Sequence, residues 1–345
     1  MAKVTYLIGA GASYNAIPIV KDFPDKVWEI YVQLDRIKAY MRINNDTNSI
    51  EYKYFNQATE DILLLHEGCT NHMSVDTYAK MLFLTSREKN RLEKYYAAKW
   101  SIVLFFELYR YFNKSTSFDK RYDALLATII KRNKPRLPDD INIISWNYDY
   151  EFEKAFLKYC PDKFNIEDVY DEINIVHKNH SFNQPLNSKF GIIKINGTCG
   201  YYDGDNILHL GLDQFNTFGS TNLEDYRDVL GIITNYNLYA YNYKFSPAIS
   251  FSWEDDYNKN EINNEIIKAL ENTEYLVVIG YSFPYFNREL DRTIIQKFNG
   301  GNNPRYICVQ DPNAENVKNT IAEMGLYTYR RYKVITDPTQ FYIQL

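Results

Sequence analysis

Short apolar runs without polar alternation constrain the fold of this chain more than any other feature of its sequence. Each run has four or five residues and is bounded by Gly, Pro, Asn or Asp. Continuous hydrophobicity of this length is typical of strands buried on both faces, as in a parallel sheet covered by helices. The runs are Val4–Ile8, Ile141–Ser145, Ile192–Ile195, Ala248–Ser252, Tyr275–Ile279 and Tyr306–Val309.

Helical patterns alternate with these runs along most of the chain. They cover Tyr150–Tyr159, Asn260–Asn272, Asn287–Phe298 and Ala314–Met324. Strands that alternate with helices favour an open α/β sheet. The sequence therefore predicts a doubly wound, mainly parallel, Rossmann-like sheet.

The segment between the first two strands has a different pattern. Residues 25 to about 135 carry helical periodicity with almost no strand signal, most clearly over Arg87–Phe112 and Tyr122–Arg132. We expect residues 1–345 to form one domain, with a helical insertion or lid subdomain over about 25–135. Its many aromatic side chains are expected in the core or in an oligomer interface: Trp100, Phe105, Phe106, Tyr109, Tyr111 and Phe112.

Composition excludes several classes of protein. The 345 residues are 45% hydrophobic and 24% charged, which is typical of a soluble globular chain, and no apolar run approaches the ~20 residues of a membrane span. The net charge of −5 argues against nucleic-acid binding by phosphate neutralisation. We interpret the one basic stretch as a solvated helix end: Lys120, Arg121, Lys131, Arg132, Lys134 and Arg136.

The four cysteines form no C-x-x-C pair, which disfavours a zinc ribbon or a dithiol redox motif. We therefore expect no metal. Isolated cysteines suit a reducing cytoplasm. We interpret Val4–Ala12 as a core strand and turn rather than a signal peptide, so the protein is expected in the cytoplasm without membrane attachment.

A glycine-rich turn follows the first strand directly, as Gly9-Ala10-Gly11-Ala12-Ser13. Glycines here let the backbone turn tightly and approach a diphosphate, whose charge free N–H groups can meet. The third glycine of G-x-G-x-x-G is replaced by Tyr14. Diphosphate binding and a tight turn without ligand therefore both remain open.

Polar residues also follow four later strands of the predicted sheet. Asn147 and Asp149 follow the second strand, although Asp149 could simply cap the next helix. The other groups are Lys194-Ile195-Asn196-Gly197-Thr198, Gly280-Tyr281-Ser282-Phe283 and Gln310-Asp311-Pro312. In open α/β sheets the carboxyl ends of the strands border the ligand crevice, so these groups are expected to converge.

Taken in order, these motifs resemble those of the sirtuin-like family. They are most similar to its bacterial branch of NAD-cleaving antiphage defence proteins, whose motifs read G-A-G-A-S, T-x-N-Y-D, K-L-H-G-S and G-Y-S-F. The similarity spans residues 3 to about 311, with the helical insertion largely outside it. Sirtuin deacetylases hold a zinc module with two C-x-x-C pairs, which this chain lacks, so deacylation is disfavoured. The resemblance implies hydrolysis of NAD to nicotinamide and ADP-ribose, which depletes NAD in an infected cell.

The resemblance also implies roles for individual residues. Asn147 would orient the nicotinamide ribose and the attacking water, and Asp149 would support that loop or the nicotinamide side. The diphosphate would be bound by Gly9, Ala10, Gly11, Ala12 and Ser13. Gly197 would also border the nucleotide. The adenosine half would be lined by Gly280, Tyr281, Ser282 and Asp311.

One position departs from the family pattern, because Asn196 stands where the family has its catalytic histidine. A carboxamide cannot act as a base near neutral pH, and loss of a general base typically costs about 10²–10⁴ in rate. Nicotinamide leaves as a neutral group, so positioning and electrostatics could sustain slow turnover. Asn196 could be an engineered replacement, a natural residue of a slow hydrolase, or part of a non-catalytic NAD or ADP-ribose sensor or scaffold.

Four other residues are candidates for the missing base or for a reactive group. His177, His180 and His209 could replace the missing base, and Cys199 beside the motif is expected to be inert. An ordinary Rossmann oxidoreductase is disfavoured, because no acidic residue ends a strand about 20 residues after the glycines. Because the chain ends at Leu345 soon after the last strand, we expect a homo-oligomer that responds to a protein partner or a phage-derived trigger.

Overall fold

A computed structural model describes thirteen segments of the chain. They are residues 3–44, 46–85, 89–113, 119–130, 137–163, 166–170, 173–176, 190–204, 206–211, 226–254, 259–300, 305–325 and 331–344. These residues divide into two compact units. The first unit is Met1–Ile17, Phe118–Thr198 and Ser250–Leu345, and the second is Pro18–Ser117 and Cys199–Ile249.

Ten helices and ten strands lie in the described residues. In chain order they are β1 (Val4–Ile8), α1 (Phe23–Ile43), α2 (Ile50–Asn71), α3 (Val75–Leu84), α4 (Lys89–Phe112), α5 (Lys120–Ile129), β2 (Ile141–Ser145), α6 (Glu151–Leu157), β3 (Asn174–Val176), β4 (Gly191–Lys194), β5 (Gly197–Asp203), β6 (Asn206–Leu208), α7 (Arg227–Ala240), β7 (Ser246–Ile249), α8 (Lys259–Glu271), β8 (Tyr275–Ile279), α9 (Arg288–Asn299), β9 (Tyr306–Gln310), α10 (Ala314–Glu323) and β10 (Arg331–Ile335).

The first unit is built on a sheet of seven parallel strands in the order β10-β9-β8-β1-β2-β4-β3. In the centre, Val4 of β1 pairs with Ile141 of β2 on one side and with Tyr275 of β8 on the other. All residues of β1 and β2 are buried, in agreement with their continuous hydrophobicity. The predicted Rossmann-like α/β fold is therefore confirmed.

Helices cover both faces of this sheet. Leu7 of β1 packs in one cluster with side chains of α8, α9 and α10. Tyr6 and Ile8 face the opposite side, where they pack with side chains of α5 and α6. Successive residues of a strand point to opposite faces, so a strand covered on both sides must be apolar throughout.

The order of the strands reverses next to β1. The chain first builds β2, β4 and β3 on one side of β1, and then returns to build β8, β9 and β10 on the other. The carboxyl ends of β1 and β8 therefore flank the topological switch point, where open α/β sheets bind their ligands.

The second unit contains α1–α4 and α7, together with a small sheet of order β6-β5-β7. Asp61 of α2 accepts hydrogen bonds of 2.8 Å from the hydroxyls of Tyr236 and Tyr241, which join α2 to α7 and its end. Burial raises the pKa of Asp61. Of the six aromatic side chains expected in the core or in an interface, Trp100, Phe105, Phe106 and Tyr109 are buried, whereas Tyr111 and Phe112 are partly exposed.

The structure corrects the sequence prediction at two points. The run Ala248–Ser252 was predicted as a strand of the main sheet, but β7 ends at Ile249 and belongs to the small sheet. Four strands were missed: β3, β5, β6 and β10. β3 and β6 have only three residues each, and β10 alternates polar and apolar residues because it lies at the sheet edge.

The helical region after the first strand is present as α1–α5. α5 belongs to the unit of the main sheet, while α1–α4 belong to the second unit. The interpretation of residues 1–345 as one domain with an insertion stays a prediction. None of the helices within the described segments is long and apolar enough to cross a membrane.

The close approach at the switch point generates a stability prediction. Gly280 has a φ of +59°, and a Cβ there would lie 2.4 Å from the backbone N of Ala12. Gly204 has a φ of +62°, but a Cβ there would meet no atom within 4 Å. We expect Gly204→Ala to cost about 1–2 kcal/mol of unfolding free energy from backbone strain alone. Gly280→Ala should cost about 1–3 kcal/mol more, because overpacking adds to that strain.

Urea unfolding of the two variants and the parent measures this difference. Equal losses for both substitutions would contradict the close packing between Gly280 and Ala12.

Candidate functional site

The glycine turn after β1 packs directly against the end of β8. The N–H of Gly9 donates to the carbonyl of Ile279 and that of Gly11 to the carbonyl of Gly280, both at 3.0 Å. A Cβ on Gly9 would lie 2.6 Å from Cδ2 of Tyr281. The two glycine N–H groups are thus paired within the protein, and the glycines permit close contact of two backbones.

Ser13, at the end of this turn, is the point where three predicted site residues meet. Asn147 Nδ2 donates to the carbonyl of Gly9 at 3.0 Å and to Ser13 Oγ at 3.4 Å. Ser13 Oγ also lies 3.0 Å from the hydroxyl oxygen of Tyr122, and its interaction with the Asp149 carboxyl opposes the rise in the pKa of that group. The turn after β1 and the loop after β2 are therefore held together by buried side chains.

The amide oxygen of Asn147 has a different environment from its nitrogen. No donor within the described segments reaches Asn147 Oδ1. Asn147 is 7% exposed. A nearly buried acceptor without a donor is a feature that a ligand hydroxyl or a water molecule can satisfy.

Asp149 lies directly before Tyr150, the N-cap residue of α6. Its Oδ1 accepts from the N–H of Glu151, the first residue of that helix, at 3.0 Å. Burial, together with the negative charge of Glu151, raises its pKa from an ordinary value of 3.8 to about 6, against the opposing charge of Lys194. The carboxyl group is therefore mostly ionised at neutral pH, and burial of this charged form destabilises the fold.

Lys194 anchors the same loop from the end of β4. Its Nζ donates to the backbone carbonyl of Asp149 at 2.6 Å and pairs with Glu153 at 2.5 Å. The side chains of Lys194 and Glu153 are both 2% exposed. A buried pair of this kind is costly to break, because the remaining charge would have no partner.

Asn196 joins three segments of the chain. Its Nδ2 donates to the carbonyl of Trp146 at 3.0 Å, and its Oδ1 accepts from the N–H of Ser252 at 3.2 Å. Its backbone carbonyl accepts from the N–H of Ser250 at 2.9 Å. The nitrogen and the oxygen of this carboxamide are therefore both hydrogen-bonded within the protein. Gly197 follows with a φ of +70°, which lets the chain turn away into β5.

Two polar atoms beside Asn196 are buried without a partner. Trp146 Nε1 and Ser250 Oγ have no hydrogen-bond partner among the described residues. Their side chains are 5% and 3% exposed. Most buried polar groups in proteins are hydrogen-bonded, so these two atoms mark an incompletely satisfied polar region.

Tyr281, after β8, lies on the other side of this region. Its ring stacks on Trp146, with centroids 5.3 Å apart and planes at 13°. Its hydroxyl donates to the Asp291 carboxyl at 2.9 Å and accepts from Asn287 Nδ2 at 3.1 Å. Burial raises the pKa of Asp291 to about 8.

The remaining predicted residues make fewer connections. Ser282 is exposed. Asp311 Oδ1 accepts from the N–H of Asn313 at 2.7 Å, which shapes the turn before α10. His209 pairs with Glu107 at 3.6 Å in the second unit. Cys199 is buried, while His177 and His180 lie outside the described residues.

Sequence reasoning missed the part that α5 plays. Arg121 Nη2 donates to the carbonyls of Gly11 and Ala12 at 3.3 and 2.8 Å, and the guanidinium pairs with Asp119. Arg121 is 4% exposed, so its interpretation as part of a solvated helix end was wrong. No local pattern marks this role, since the carbonyls of Gly11 and Ala12 lie more than 100 residues away from Arg121 in sequence. The other end of the basic stretch, residues 131–136, lies outside the described residues.

Within the described segments, no group of three or more His, Cys, Asp or Glu side chains is arranged to hold a metal ion. Comparisons with protein-family models, curated proteins and solved structures gave no significant match to this chain. The candidate site therefore rests on its geometry and on the motif series.

The buried carboxyl of Asp149 generates a pH prediction. A carboxyl whose folded pKa is raised stabilises the fold below its unfolded pKa, near 4, and loses that contribution as pH rises through about 6. Asp149→Asn should therefore raise the unfolding free energy at pH 7.5 by about 1–3 kcal/mol, and have little effect at pH 4. Denaturant unfolding at the two pH values measures this. Equal effects at both values would show that Asp149 titrates normally.

Proposed function

We propose that this chain binds NAD at the carboxyl edge between β1 and β8 and hydrolyses it to nicotinamide and ADP-ribose. The observation that carries the proposal is the meeting of Ser13, Asn147 and Asp149 at the switch point of the sheet. These residues come from two of the motifs that resemble the sirtuin-like family.

The position of the site supports a nucleotide ligand. In doubly wound sheets the crevice at the switch point accommodates nucleotides, and the turn after the first strand borders their phosphates. Here that turn is held by Arg121, Tyr122 and Asn147. A turn that is fixed before binding loses little conformational entropy when the ligand arrives.

The side chains present also suit cleavage of a glycosidic bond next to a positive charge. The bond between the ribose C1′ and the pyridinium nitrogen breaks, its electron pair goes to the nitrogen, and nicotinamide leaves as a neutral molecule. Water then adds to C1′ and releases a proton to solvent. An ionised Asp149 would stabilise the cationic ribose electrostatically, and Asn147 Oδ1 would accept from a ribose hydroxyl or the attacking water.

Asn196 supports a second candidate function. Its carboxamide is engaged at both ends by Trp146 and Ser252, so it offers neither a base nor a free acceptor. A chain that binds NAD or ADP-ribose without cleaving it would act as a sensor or scaffold for a protein partner. A hydrolase would instead act as an antiviral effector that depletes NAD in the cytoplasm. It would work as a homo-oligomer that an external trigger activates.

Calorimetry with NAD and chromatography of released nicotinamide test both functions. We expect the parent chain to bind NAD, and Asn147→Ala to weaken binding by about tenfold or more through loss of its polar contacts. Asn142→Ala, near the opposite end of β2 from the loop that carries Asn147, controls for damage to β2. If Asn196→His supplies the missing base, turnover should rise by about 10²–10⁴.

The outcomes separate the alternatives. Nicotinamide release by the parent chain supports a hydrolase, and release by the histidine variant alone supports a hydrolase scaffold that has lost its base. Binding without release in either form is the result expected of the sensor and of a hydrolase that awaits its external trigger. A parent chain that binds neither NAD nor ADP-ribose contradicts both functions.

A further inference from the structure

A chain of hydrogen bonds connects Asn196 with the buried Asp291. Ser252 donates through its N–H to Asn196 Oδ1 and through its Oγ to Asn287 Oδ1, at 3.2 and 3.3 Å. Asn287 Nδ2 donates to the Tyr281 hydroxyl at 3.1 Å, and that hydroxyl donates to Asp291 at 2.9 Å. The proposed function assigns no role to Ser252, Asn287 or Asp291.

The direction of every hydrogen bond in this series is set by Asp291, the residue at its buried end. The Tyr281 hydroxyl donates to the Asp291 carboxyl, and above the raised pKa of Asp291, about 8, the ionised carboxylate can only accept this bond. The Tyr281 oxygen can then only accept from Asn287, which turns the amide nitrogen toward Tyr281. Asn287 Oδ1 consequently faces Ser252, whose hydroxyl hydrogen is used in this bond.

Of the residues in this hydrogen-bond series, Ser252 is the one that remains partly accessible. Asp291, Tyr281 and Asn287 are 0%, 5% and 6% exposed, whereas Ser252 is partly buried. Since its hydrogen points to Asn287, the Ser252 oxygen presents lone pairs and acts toward a ligand as an acceptor. Successive bonds of the same direction polarise one another, which strengthens that acceptor.

We propose that Ser252 Oγ accepts a hydrogen bond from a hydroxyl of the nicotinamide-side ribose, and that Asn287, Tyr281 and Asp291 are positioning residues that keep it an acceptor. The inference rests on the proposed nucleotide site. The choice of ribose follows from the connection of Ser252 through Asn196 to Trp146, the residue directly before Asn147. The end of β8 borders the other half of the ligand.

A pair of ligands isolates this contact. ADP-ribose contains the second ribose, whereas ADP shares the adenosine diphosphate part but lacks it. In titration calorimetry, Ser252→Ala should bind ADP-ribose about tenfold more weakly than the parent chain does, which corresponds to one lost hydrogen bond. The two proteins should bind ADP with affinities within about twofold of each other. Ser252→Thr keeps a hydroxyl and should recover most of the affinity for ADP-ribose.

Asp291→Asn tests the positioning part, because an amide at residue 291 can donate as well as accept and no longer fixes the direction of the bonds. At pH 9, above the raised pKa of Asp291, we expect about threefold weaker binding of ADP-ribose and no change for ADP. Thr293→Ala, a substitution at a partly buried position on the same helix, should change neither ligand. Thermal unfolding of each variant identifies any loss of fold, which would weaken both ligands equally.

The results distinguish this inference from the proposed function. If the parent chain binds ADP-ribose but Ser252→Ala binds it equally well, or loses both ligands to the same extent, the ribose contact is overturned and nucleotide binding stands. If the parent chain binds ADP and ADP-ribose with equal affinity, the second ribose makes no contact and the inference fails alone. If the parent chain binds neither ligand, the proposed function fails and the inference with it.

Discussion

The contact between two backbones at the centre of the sheet is the constraint on which the rest of the site depends. Gly11 donates its N–H to Gly280, and neither residue has room for a Cβ. This contact fixes the turn after β1 against the end of β8, next to the reversal in strand order. The side chains that converge on Ser13 can meet only because that turn has one defined position.

Buried polar side chains hold the turn from its other sides. Asn147 and Tyr122 reach it from the loop after β2 and from α5, and Arg121 binds two of its carbonyls. Arg121 Nη1 also donates to the carbonyl of Pro338, and the guanidinium lies 4.8 Å from the centroid of the Phe341 ring. Residues from four separate segments of the first unit therefore determine the conformation of five residues after β1.

The raised pKa values of Asp149 and Asp291 indicate that burial of these two carboxyl groups costs folding free energy. Both carboxyl groups are removed from water, and each is stabilised by hydrogen bonds that also position a neighbour. Perturbed carboxyl groups concentrate at functional sites, because a binding or catalytic environment is rarely the most stable one. Asn196 differs from them, since its neutral carboxamide is satisfied at both ends and acts as a cross-link between loops.

The sequence by itself determined the strands at the centre of the fold. β1, β2 and β8 have the predicted bounds, because an apolar run ended by Gly, Asn or Asp is a local property of the chain. It also placed Ser13, Asn147 and Asp149 at strand ends, since parallel strands bring their carboxyl ends to one edge.

Only the tertiary structure decided which partners these residues have. The sheet to which β7 belongs, the burial of Arg121 and the hydrogen bonds of Asn196 all depend on residues more than 40 positions away in sequence. The pKa of Asp149 likewise depends on the burial and charges that the fold assembles around it. No local pattern in the sequence carries that information, because hydrogen bonds and desolvation are set by distances in space.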